Sequence, residues 1–175
     1  MSLRVVVVAV VLLLAGCGQE QPGVPTAGAE TMPADFAGTV SYGNGSVPPP
    51  YHFEWRLTFD TTSATVEWTP GYSDVEPWRE SVEITEDDRR ALYDELREAG
   101  VLTYEEDPDE GLAGGSTGSI DLVVDGDRRT SQLGTSRAGQ DVLADVVEAV
   151  EALVPTEAWT RLRDQQDEWS ARQPE

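Results

Sequence analysis

The sequence has no lysine, one histidine (His52) and one cysteine (Cys17); its 12 basic residues are all arginine, set against 33 Asp and Glu for a formal charge of -21. Each shortage removes a mechanism. One cysteine excludes an intramolecular disulfide and a zinc site of the Cys₄ or Cys₂His₂ kind, and one histidine excludes a His-pair metal site. Without lysine there is no P-loop lysine, Schiff base or Ser-Lys dyad. The basic footprint that dominates nucleic-acid affinity is missing too, and a surface this acidic repels a polyanion. Aromatic residues make up only 7% of the chain, so where they cluster carries information.

What is present begins at the amino terminus. Arg4 precedes an unbroken apolar run of 11 residues, Val5 to Ala15. As a helix that run would be about 16 Å long, against about 30 Å of bilayer hydrocarbon, too short to span. A positive start, a short apolar stretch and then small residues is the pattern of an export signal. Leu14-Ala15-Gly16-Cys17 resembles the lipobox of bacterial lipoproteins. That resemblance implies a diacylglyceryl group on the Cys17 thiol, cleavage just before it, and a chain held at the extracytoplasmic face of the cell membrane. Two acyl chains fit stable anchoring, because a single chain binds membranes only marginally. The arginine-only basic set and the Ala, Gly, Val, Asp and Glu bias resemble the small lipoproteins of unknown function of actinobacteria.

Three segments are expected: a signal peptide over residues 1–16, the lipidated Cys17 with a flexible linker over 17–35, and a globular domain over 36–172. The linker is rich in Gly, Pro, Ala, Gln and Thr, and cannot bury enough apolar surface to offset ordering. Its mean reach of about 23 Å exceeds the Debye length of about 8 Å in physiological salt, so an acidic domain can sit clear of an anionic lipid surface.

Within the domain, Tyr51 to Asp60 alternates strictly, with Tyr51, Phe53, Trp55, Leu57 and Phe59 on one face and His52, Glu54, Arg56, Thr58 and Asp60 on the other. Ala64 to Thr69 alternates again. One register pairs Phe59 with Ala64, Leu57 with Val66, Trp55 with Trp68 and Arg56 with Glu67. Further short strands are expected at Ser81 to Ile84 and Val101 to Tyr104, around a helix capped by Thr85 and ended at Gly100. Asp125-Gly126 turns a second hairpin whose polar strand, with Arg128 and Arg129, belongs at a sheet edge. Gln140 to Leu153 carries a wide apolar stripe. Beyond Pro155, a third helix capped by Thr156 places Trp159, Leu162 and Trp169 on one face. The expected fold is α+β, a mostly antiparallel sheet covered on one face by helices.

No catalytic constellation stands out. His52 is expected on the solvated face, and no G-x-S-x-G nucleophile elbow accompanies it. Two acids at glycosidase spacing arise by chance among so many, so that criterion discriminates nothing. The acidic run Glu105 to Glu110 lacks calcium-loop spacing, and Asp125-Gly126-Asp127 reads as a turn. Gly111 to Gly118 leads into a strand and has no lysine, unlike a phosphate cradle. No metal, cofactor or catalytic residue is therefore assigned. Tyr72 and Trp78 differ from the periodic core aromatics, because they sit in the loop PGYSDVEPWRE among charges. They either fold back over the sheet edge or serve as binding anchors. The leading expectation is a lipid-anchored binding module facing an envelope protein or cell-wall partner. The competing classes are a carboxylate-dependent hydrolase of cell-wall glycans, with one acid of raised pKa, and an acidic surface that buffers cations.

Overall fold

The computed structural model describes residues 31–72, 75–105 and 114–173. Residues 1–16, Cys17, most of the linker and the acids from Glu106 to Glu110 lie outside the described residues. The fold is α+β. It grows outward from the hairpin of β2 (Phe53–Phe59) and β3 (Ser63–Pro70), whose register is the one that the alternation predicts, down to Trp55 against Trp68 and Arg56 against Glu67. The carboxylate of Asp60 closes the turn by accepting from the backbone N–H groups of Thr62 (2.7 Å) and Ser63 (2.8 Å), bonds that hold its pKa below the ordinary value.

Two strands extend the hairpin. On one side, β4 (Trp78–Glu83) pairs with β3; on the other, β1 (Ala37–Gly43) pairs with β2. Beyond β1 come β5 (Thr117–Val124) and then β6 (Asp127–Leu133), giving the order β4-β3-β2-β1-β5-β6 with every pairing antiparallel. The turn between β5 and β6 places Asp125 (φ 54°) and Gly126 (φ 80°) in the left-handed region, the type I′ geometry that an Asp-Gly pair favours. β6 is the edge strand that its arginines indicate.

Helix α1 (Glu86–Glu98) begins with a reciprocal capping box. Thr85 Oγ1 accepts from the Asp88 N–H, and the Asp88 carboxylate accepts from the Thr85 N–H. Gly100 (φ 74°) follows its end. The expected strand at 101–104 is instead a 3₁₀ turn over Val101–Thr103, because the Thr103 N–H folds back onto the Gly100 carbonyl and removes an extended partner. α2 (Arg137–Leu153) and α3 (Thr156–Ser170) follow β6. Thr156 does not cap α3: Pro155 takes the cap position and no side chain caps it.

The helices cover one sheet face. Val40, Leu57, Val66 and Leu122 from the strands meet Leu92, Leu96, Val146, Val150 and Leu162 from the helices in a continuous buried cluster. Each such side chain contributes about 1.5–3 kcal/mol when fully buried. Trp55 meets Trp159 edge-on, with ring centroids 5.6 Å apart. The opposite face is polar and carries ladders of hydroxyls, among them Thr39 with Thr58 and Ser41 with Ser119.

Candidate functional site

At the end of the sheet where β2 begins, the chain makes a loop over residues 44–52 that is closed by its first residue. Asn44 receives the Phe53 N–H on its side-chain oxygen (3.0 Å) and donates its amide to the Tyr51 carbonyl (2.8 Å). Pro48 and Pro49 lead into a 3₁₀ turn over Pro49–Tyr51, consistent with the fixed φ of proline. α3 holds the loop from behind. Ser170 Oγ donates to the Pro50 carbonyl (2.6 Å), and the buried Gln166 amide reaches the carbonyls of Pro50 and His52 (3.3 Å each) while its oxygen accepts from the Trp68 indole (3.0 Å).

This closure changes what alternation alone implies for two residues. Tyr51 leaves the core row and is 67% exposed, whereas His52, expected on the solvated face, is 4% exposed. The His52 imidazole is covered by the Tyr72 ring, stacked on it with centroids 3.8 Å apart and planes 10° from parallel. Tyr72 is fixed a second time, since its hydroxyl donates to the Val47 carbonyl (3.0 Å). It nevertheless remains 60% exposed, so its outer ring face is displayed while its position is locked.

His52 Nδ1 lies 3.0 Å from the Gly45 carbonyl, which can only accept, so Nδ1 carries the proton. Nε2 is buried without a hydrogen-bond partner, and the Glu54 carboxylate lies 3.5 Å from it. His52, Glu54 and Tyr72 line a cleft of about 250 Å³ whose remaining walls come from the residue 43–46 turn, Gly114 to Thr117 and Gly134-Thr135. The walls are close-packed. A β-carbon on Gly45, already at φ 83°, would overlap the Gly115 carbonyl, and one on Gly134 would lie 2.6 Å from the Ser116 carbonyl.

Through Glu54, Gly43 and Thr117 the cleft continues onto the open sheet face, where a second depression of about 380 Å³ lies above Ser41, Arg56, Glu67 and Ser119. Charges on this face are partly paired. Arg79 donates to Glu67 (2.7 Å) and Glu76 (3.1 Å), and Arg128 grips both oxygens of Asp121, holding that carboxyl's pKa down. Arg56, in the middle, has no ion-pair partner among the described residues. Carboxyl pKa values that depart from the ordinary, those of Asp60, Glu80, Asp88 and Asp121, all move downward, opposite to what a general acid requires. Among the described residues no three His, Cys, Asp or Glu side chains gather into a metal site.

The two expected binding aromatics therefore separate. Tyr72 belongs to the cleft. Trp78 is a strand residue, paired with Trp68 across β3 and β4 and half-buried against the core. Cys17 lies outside the described residues. Glu54 and Gln166 are the members of the site that alternation passes over. Gln166 had a visible signal: on α3 it falls in the same helical row as Trp159, Leu162 and Trp169, and a neutral amide in an apolar row is a candidate for a buried structural hydrogen bond.

Comparison with protein-family models gives no match for this chain, and comparison with curated proteins gives none either.

Proposed function

We propose that this chain is a lipid-anchored, extracytoplasmic binding module that offers the Tyr72 corner, and the polar sheet face continuous with it, to a partner in the cell envelope. One observation carries the reading: Tyr72 is exposed yet pinned by a ring stack and a hydrogen bond. An aromatic fixed before binding loses little conformational entropy on contact, which is how a small number of anchors comes to dominate an interface. The loop beneath is braced by α3, so the anchor stands on a rigid support. Trp78 serves the sheet in this reading. The anchor at Cys17 keeps the module at the membrane, with the linker as its tether.

Two experiments test the parts separately. Cys17→Ser moves the chain from the membrane fraction to the soluble fraction if the thiol carries the lipid; continued membrane retention overturns the anchor. Cross-linked recovery of envelope partners by wild type and by Tyr72→Ala, with matched thermal unfolding, tests the surface. Loss of the recovered partner in Tyr72→Ala is the expected result, and equal recovery removes this corner from the reading.

A further inference from the structure

We infer that the cleft at the head of β2 takes a primary alkylammonium group, bound between the Glu54 carboxylate and His52 Nε2, beside the stacked rings of His52 and Tyr72. This deepens the binding-module reading and rests on it. The argument starts from an unmet need. With Nδ1–H committed to the Gly45 carbonyl, neutral His52 turns a bare lone pair toward a carboxylate oxygen 3.5 Å away, so two acceptors face each other with no donor between them. A buried acceptor left unpaired is costly, and a group donating to both removes that cost.

The remaining features select the donor's charge and shape. No arginine lines the cleft, and Glu54 has no ion-pairing neighbour among the described residues except His52. The walls add the hydroxyl-bearing residues Ser46, Thr117 and Thr135, further acceptors for a group with three N–H donors. Tyr72 also lines the cleft and gives the alkyl stem an apolar wall. Glu54, whose side chain is 64% exposed, has room to swing toward an entering group. A formal charge of -21 draws cations toward the molecule as a whole. Primary ammonium groups are carried by free polyamines and by lysine side chains, and the same contacts would serve either.

His52 is the sole histidine, so its ring C–H signals are unambiguous reporters by NMR. The probes are 1,5-diaminopentane and Nα-acetyl-lysine methylamide, with the Nε-acetylated lysine derivative as the neutral control. The expected result is saturable movement of the His52 signals by at least one amine and none by the control. Affinity should fall about tenfold in Glu54→Gln, whose exposed site leaves folding intact by thermal unfolding. Saturation by the lysine derivative alone assigns the group to a peptide side chain, and saturation by the diamine alone assigns it to a polyamine; either supports the inference. No saturable movement up to about 10 mM, or movement equal in Glu54→Gln, overturns it. Loss of partner in Tyr72→Ala beside a silent His52 signal would refute this inference while the binding-module reading stands.

Discussion

Gln166 ties three parts of the molecule through one amide, and the bonds around it decide what its removal costs. The Pro50 carbonyl also accepts from Ser170, and the His52 carbonyl also accepts from the Gly71 N–H at 2.7 Å, so both keep a partner without Gln166. The Trp68 indole N–H does not, since its partner is the Gln166 oxygen. Gln166→Leu is therefore expected to cost about 1–3 kcal/mol, the penalty of one orphaned buried donor. In a double-mutant cycle, adding Trp68→Phe removes that orphan, so the two effects sum to more than the double variant loses by about 1 kcal/mol. Urea unfolding measures all four proteins, and strict additivity would refute the assignment. Gly71 is constrained at the same joint, where φ is 64° and a β-carbon would lie 2.6 Å from the Trp169 ring. This joint explains why Tyr51 and His52 defy the alternation of their neighbours. Period two describes a side chain's fate only while the strand lasts, and here a clasp from Asn44 and contacts from a helix more than a hundred residues away end it at Phe53.

Among the elements, those legible from sequence are the ones whose partners are close in the chain. The type I′ turn and the α1 capping box rest on residues a few positions apart, and the β2–β3 register on residues no more than seventeen apart. β4 is the counterexample. Its core-facing row is Trp78, Glu80 and Val82, and the acid in the middle disguises the strand's beginning as charged loop. Arg161 of α3 resolves the conflict, donating from Nε (2.8 Å) and Nη2 (2.6 Å) to the two oxygens of Glu80. β1 escapes notice for a different reason, because it brings only Val40 fully into the core and its other positions are half-buried. The Glu80–Arg161 tie has a pH signature. Hydrogen bonding to Arg161 holds the Glu80 pKa below the ordinary 4.5. Its contribution is thus complete above that value and is lost as pH falls through the lower folded-state value. Arg161 is half exposed, so solvent screens the pair and its contribution is small. Arg161→Ala should be less stable than wild type at pH 7, and the gap should be smaller at an acidic pH below the lowered Glu80 value, where protonated Glu80 no longer needs the arginine. Chemical denaturation at both pH values checks this; a gap independent of pH would assign Arg161 a packing role.

For the whole molecule the dominant number is the formal charge of -21. Self-repulsion of that size opposes compactness and is felt most when screening is weak. Raising monovalent salt from about 0.01 M to about 0.1 M shortens the Debye length from about 30 Å to about 10 Å. The expected outcome is a rise in the unfolding temperature of a few degrees, opposite in sign to what salt would do to a fold held by its surface ion pairs. The two effects oppose each other here, and repulsion is expected to win, since among the described residues eight carboxylates pair with arginine against 33 acids in the chain. Calcium then distinguishes general screening from a dedicated site. Screening treats CaCl₂ and MgCl₂ alike at matched ionic strength, whereas an oxygen-lined site prefers the larger, more flexibly coordinated ion. Equal shifts in unfolding temperature for the two salts are expected, because Glu67 and Asp121 on the open face are engaged by arginines and no three ligating side chains gather among the described residues. A calcium-specific excess would instead place a cation site on this molecule and shift the account of its acidity from solubility and long-range attraction to coordination.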